Sequence, residues 1–322
     1  MTLGRRLREW RTRAERARIE GDLADALARS APLVAVRLAE RLVLLAAQAF
    51  GETHAEVGIA RFALGAARLS AGDFAGAERD GEVALRLIRG DLDAPSRIDV
   101  LQLLASAAER SSDAVAIVAR LRALASAIEA STAGPARDLG LADVDTRLGL
   151  TLARRGDTDD AWSHLSRALV LRRARLGARD LTVGEALYNL ATHRMQASSV
   201  DEAIARFEEA VVIATDAGDT GRPLRESALQ NLGVALQEQE RYEDAEAAWE
   251  RALASRQGRL GPHHASLRPI LVRLAQLRDR SGSTLVAAAL FQRAYDLARV
   301  ELGESHEITS ALKGWKRGPA SD

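Results

Sequence analysis

The sequence predicts an all-α solenoid, an array of paired helices stacked in chain order. A leucine recurs at near-constant spacing, at Leu64, Leu104, Leu148, Leu190, Leu232 and Leu274, in steps of 40, 44, 42, 42 and 42 residues. Alanine is abundant and aromatics make up only 4% of the 322 residues, a composition that suits close helix packing better than a strand-rich core. Pro32, Pro95, Pro135, Pro223, Pro262 and Pro269 fall at or near expected helix starts, where a missing N–H is tolerated, and no hairpin pattern appears.

Each unit repeats one internal order. The leucine is followed by a small residue: Gly65, Ala105, Gly149, Ala191, Gly233 or Ala275. Thirteen residues after the leucine comes Ala77, Ile117, Ala161, Ala203, Ala245 or Ala287. Four further on stands a larger residue, Leu121, Leu165, Phe207, Trp249 or Phe291, with Gly81 in the first copy. Three more residues bring Ala84, Leu124, Ala168, Ala210, Ala252 or Ala294. Spacings of four and three keep these positions on one helical face. The leucine therefore belongs to a first helix and the large residue to a second. Small residues let the two approach, and polar turns such as RRGDTDD separate them. The second copy departs most, with no glycine in its central turn and with Ile117 and Leu124 where alanine is usual.

The junctions between units also repeat: FGETH, LGARD, LGPHH and LGESH place Gly51, Gly177, Gly261 and Gly303 at multiples of 42 residues. This pattern resembles the tetratricopeptide repeat, in the longer variety of kinesin light chains and many bacterial proteins. An ordinary unit is about 34 residues, while HEAT and armadillo units of ~40–47 would fit the period alone; the small-large-small order and the junction motif decide between them. The resemblance covers residues 50–308. It implies a right-handed superhelix and a protein-interaction role without catalysis. The expected division is an N-terminal helical cap or degenerate repeat at 1–50, six repeats at 51–304, and a C-terminal capping helix and tail at 305–322. Residues 3–17 are similar to the first helix of small helix-turn-helix domains, but no convincing second and third helix follows.

Composition narrows the function. The 45 basic and 45 acidic residues cancel, so the surplus charge of a general nucleic-acid binder is missing. There is no cysteine, which excludes disulfides, thiolate metal sites and cysteine nucleophiles. The charged N-terminus has no apolar core of a signal peptide, and the most apolar run, Leu42 to Phe50, is too short to span a bilayer. A cytoplasmic protein with no nucleic-acid or membrane partner is the expectation, with self-assembly through the terminal helices left open. Lysine occurs only at 313 and 316 amid many arginines and alanines, an association with GC-rich bacterial genomes.

No nucleotide-binding, hydrolase or zinc-protease motif is present, and no cofactor or metal is expected. His54, His264 and His306 share one junction position, where capping accounts for them. What remains is the exposed side of the first helices. Just before each leucine lie Arg147, Asn189, Asn231 and Arg273; one residue earlier, Tyr188 and Gln230. Beyond the leucine lie Arg154, Gln196, Gln276 and Arg280. An Asn amide can grip the backbone of an extended peptide, and flanking arginines can take carboxylates bidentately. Two readings follow: a scaffold or adaptor binding a peptide or protein segment in its concave groove, or a regulatory receptor whose superhelix changes when a signalling peptide binds.

Overall fold

The computed structural model describes residues 3–88, 96–111, 113–196 and 199–316; Pro95 lies outside them. Among the described residues there are fifteen α-helices, one short 3-10 helix and no strand. The fold is an all-α solenoid of helix pairs. It divides into two compact units, Met1–Asp157 and Thr158–Asp322.

The first unit holds α1 (Leu3–Ala28), α2 (Pro32–Phe50), α3 (Ala55–Ala71), α4 (Phe74–Leu87), α5 (Arg97–Ser111), α6 (Ala114–Glu129) and α7 (Pro135–Arg155). The second holds α8 (Thr158–Leu176), α9 (Leu181–Gln196), α10 (Val200–Asp216), α11 (Arg222–Glu238), α12 (Tyr242–Leu260), α13 (Arg268–Arg280), α14 (Thr284–Leu302) and α15 (Glu307–Lys316). The six repeated leucines fall on α3, α5, α7, α9, α11 and α13, and the residues thirteen further on fall on α4, α6, α8, α10, α12 and α14. Pro32, Pro135, Pro223 and Pro269 occupy the first turn of α2, α7, α11 and α13. Pro262 precedes the 3-10 turn Ala265–Leu267, so α13 starts later than the junction motif suggests.

The small-against-large order is visible as contact. A Cβ at Gly233 of α11 would overlap the Trp249 indole of α12, whose Nε1 donates to the Gln230 carbonyl at 2.9 Å. Ala203, Phe207, Ala210, Ala245, Trp249 and Ala252 are all fully buried. In the first copy, Gly81 stands where other copies carry a large side chain. The next repeat fills the gap: a Cβ on Gly81 would come within 2.8 Å of Leu104 Cδ2. The second copy keeps the common register despite its departures, with Leu104, Ile117, Leu121 and Leu124 all in the core. At the far end Leu312 of α15 is buried with Leu271 and Phe291, and Trp315 stacks on Phe291 at 4.9 Å between ring centroids.

Helix ends explain the punctuation. Gly51, Gly261 and Gly303 take φ of 90°, 85° and 86° with ψ of 153°, 164° and 166°, a region essentially closed to residues with a Cβ. Three residues later the histidines cap: Nδ1 of His54, His264 and His306 accepts the N–H of Glu56, Ser266 and Ile308, each at 3.2 Å. Asp180 does the same for Thr182 at 2.8 Å. The turns inside the pairs use a left-handed residue just past the first helix: Gly72 (φ 83°), Gly156 (φ 87°) and Gly282 (φ 78°). At the corresponding place after α11 stands Glu240, with φ 58°.

Two predictions follow from this packing. Leu232→Ala should cost ~2–5 kcal/mol through the cavity it leaves, and Ala203→Leu or Ala245→Leu ~1–3 kcal/mol by forcing packed helices apart, as read by denaturant melts. Glu240→Gly should stabilise by roughly 0.5–1 kcal/mol: left-handed backbone costs a side-chain-bearing residue ~1–2 kcal/mol, and the entropy of glycine returns part of that. An unchanged or lowered melting midpoint would contradict it.

Candidate partner-binding face

The expected contact residues sit on four first helices: Arg147 and Arg154 on α7; Tyr188, Asn189 and Gln196 on α9; Gln230 and Asn231 on α11; Arg273, Gln276 and Arg280 on α13. The side chain of Gln196 lies outside the described residues. The other nine divide into those whose polar groups are used by the fold and those whose groups are unspent.

In the first unit the charge of Arg147 is used internally. Its Nε and Nη2 donate to the two oxygens of Glu109 on α5 at 2.8 and 2.9 Å, and the side chain is only 17% exposed. That corrects the expectation that this arginine faces solvent. Arg154 is exposed and turns back on its own helix, to the Leu150 carbonyl and Thr151 Oγ1.

In the second unit α9 and α11 are joined across the column. Asn231 Nδ2 donates to the Tyr188 hydroxyl at 3.1 Å, and the Tyr188 ring packs against Phe207 with centroids 5.8 Å apart. Gln230 Oε1 accepts from Arg256 of α12 at 3.1 Å. Arg280 lies 4.6 Å from the Tyr242 ring centroid and donates to its hydroxyl at 2.8 Å. By contrast, Asn189, Arg273 and Gln276 make no side-chain hydrogen bond or ion pair with any described residue. Asn189 is half-buried and Arg273 exposed. Arg273 and Gln276 border a groove whose apolar wall is Val272, Phe291, Ile308 and Trp315. Trp315 lay outside the repeat pattern, so sequence reasoning missed it; the one available signal was a bulky aromatic on a terminal helix with no assigned core position.

A second feature had no counterpart in the repeat pattern. Glu226, on the first turns of α11, is 1% exposed and accepts from Ser255 Oγ at 3.0 Å, from Arg256 Nε at 3.3 Å and from Arg259 Nη2 at 2.7 Å. Burial pushes its carboxyl up. Hydrogen bonds from Arg259, Ser255 and Arg256, with the Arg259 charge, more than offset that and hold it below the usual carboxylate range. In the first unit the buried Asp80 carboxylate is clasped between Arg61 at 2.8 Å and Arg68 at 2.7 Å. Both clusters tie helices together.

Glu226→Gln should therefore cost roughly 1–3 kcal/mol, since the amide loses the charge and one acceptor oxygen and turns a donor NH2 group towards the two guanidinium groups. The folded carboxyl is depressed, so its contribution is full above the unfolded carboxylate range and fades as pH falls through the folded value. The stability gap between wild type and variant should close with acidification; a gap that widens towards low pH would refute the assignment.

The tetratricopeptide repeat family model matches residues 182–258 and 224–300. No curated protein matches the chain. Among solved structures, apo RapI shares 11% identity over 92% of this chain and 80% of its own, with a TM-score of 0.67. BtubC (BKLC) from P. vanneervenii shares 20% identity over 76% of this chain and 92% of its own, at 0.57. The TPR-like repeats of a kinesin light chain from Podosopora anserina share 17% identity over 66% of this chain and 100% of theirs, at 0.55. At these identities the likeness is one of fold.

Proposed function

From the premise that this chain carries tetratricopeptide repeats over residues 182–300, we propose that it is a protein-interaction module and that the first-helix side of its second unit binds an extended protein segment. One observation carries the reading. Asn189, Arg273 and Gln276 hold unspent hydrogen-bonding groups on α9 and α13, while Arg256, Arg259 and Arg280 nearby are occupied within the fold. A half-buried amide is suited to backbone N–H and C=O groups of a strand laid across it. An exposed guanidinium beside Val272 and Trp315 suits a carboxylate followed by an apolar side chain. The Asn231–Tyr188 bond fixes the spacing of α9 and α11 and so the place of Asn189. No catalytic group is needed for this role.

Arg147 has a different part in this reading. Its pairing with Glu109 makes it a support for α5 and α7 in the first unit.

The test is calorimetric titration with a partner segment recovered by affinity capture. Asn189→Ala should weaken binding by about 1 kcal/mol, the worth of one net hydrogen bond. Arg273→Ala should weaken it by more, with a loss that shrinks at high salt because screening already weakens exposed charge contacts. Neither change should move the melting midpoint, whereas Arg147→Ala should lower it. Wild-type affinity in both Asn189→Ala and Arg273→Ala would place recognition elsewhere.

A further inference from the structure

One stretch singled out by the sequence is left unused by the partner-binding face. Helix α1 runs unbroken from Leu3 to Ala28, 26 residues against the 19 of α2. Its buried stripe is Ile19, Leu23 and Ala26, which join the core formed with α2 and α3. Followed back towards the N-terminus in the same register, that stripe meets polar positions: Arg16, Thr12, Glu9 and Arg5. The apolar residues of the first turns are elsewhere. Leu3, Leu7, Trp10 and Ala14 recur at steps of four, three and four. At about 100° per residue these positions lie within about 60° of one another and about 150° from the stripe of Ile19, Leu23 and Ala26. Ala14, the member of this set whose side chain is described, is exposed.

The charge is as uneven as the apolar pattern. Between residues 3 and 13 stand Arg5, Arg6, Arg8, Arg11 and Arg13 against the single acid Glu9, in a chain whose charges otherwise sum to a slight negative balance. A helix-turn-helix reading does not account for the stretch, because α2 is an apolar helix whose Ala35, Ala39, Leu42, Val43 and Ala46 are consumed by the core. A polynucleotide would use the arginines alone and leave the Leu3–Leu7–Trp10 stripe without a purpose. A bilayer with anionic lipid uses both, taking a leucine and tryptophan stripe into the boundary of headgroup and acyl chain while arginines meet the phosphates.

We propose that residues 3–14 of α1 form a helix that lies in the surface of an anionic lipid bilayer and brings the repeat array to it. The helix lies on the membrane and does not cross it: among the described residues no helix is long and apolar enough to span. Such a surface helix departs from the expectation of no membrane partner, which rests on the shortness of the most apolar run, Leu42 to Phe50.

The test uses the full chain with unilamellar vesicles of phosphatidylcholine alone or mixed with phosphatidylglycerol. Flotation with the mixed vesicles only, weakened by added salt, is the expected result. Leu7→Ser and Trp10→Ser should each lower partitioning by about tenfold, and Trp10→Phe should restore most of it. Circular dichroism checks that each variant keeps its helices. Independently of any change in folding, brominated lipid should quench fluorescence in the wild type that is missing from Trp10→Phe, since that difference reads Trp10 alone. Failure to float with anionic vesicles, equal binding by the Leu7→Ser and Trp10→Ser variants, or no Trp10-dependent quenching would each overturn the proposal. So would tight binding to duplex DNA without vesicle binding.

Discussion

The structure depends on how closely a first helix can approach its second. That distance is set by a small residue on one helix facing a bulky one on the other. Gly233 admits the Trp249 ring to the backbone of α11, close enough for the indole N–H to reach the Gln230 carbonyl. Burying Trp249 without such an acceptor would leave its donor unsatisfied, at a cost of about 1–3 kcal/mol. The same small residue therefore settles both the packing and the polar balance of the pair. The first copy shows that the constraint is on volume and not on residue identity: where Gly81 leaves space, Leu104 of the following repeat occupies it. Unlike a single globular core, such an array can compensate a local irregularity through its nearest neighbour alone.

What was legible in the sequence is what repeats. The six leucines, the small residues after them and the junction glycines are imposed by backbone geometry, which must recur whenever a helix pair recurs. Gly51, Gly261 and Gly303 occupy a backbone region that side chains deny to other residues, so their identity could be read directly. The junction histidines were legible for a related reason, because a cap acts within two residues of itself. Glu240 marks the edge of this rule: the left-handed place after α11 exists without its glycine, and only the backbone angle reveals it.

The candidate site was legible only in part, because it is made by pairings between distant positions. In the column of Arg147, Asn189, Asn231 and Arg273, residue type does not tell which arginine and which asparagine the fold engages. Their environments do. Arg147 meets Glu109, 38 residues away, and Asn231 meets Tyr188, 43 residues away. Such partners depend on the rotamers of long side chains, to which a 42-residue period is blind. Glu226 left a trace that could have been followed: at its place in other copies stand Gly58, Ile98, Ala142, Gly184 and Arg268. A lone carboxylate in a column that is small or apolar in four of the other five copies implies an enforced counter-charge, and Arg256 and Arg259 supply it.

Charge pairing also bears on why a neutral chain can still present a selective surface. An ion pair consumed by the fold no longer offers its charge to a partner, yet it fixes the helix that carries it. Asp80 binds Arg61 and Arg68, Glu109 binds Arg147, and Glu226 binds Arg256 and Arg259; in each case the acceptor is on one helix and at least one guanidinium on another or on a later turn. Exposed pairs of this kind add little stability, but a buried carboxylate cannot be left without its partners, so the geometry around it is enforced. Groups outside these pairings then stand out against a neutralised background. Asn189 and Arg273 are such groups on the repeat face. A net charge of zero thus describes the sum and not the surface: a fold that neutralises its interior in fixed pairs leaves its unpaired polar groups where a partner can find them.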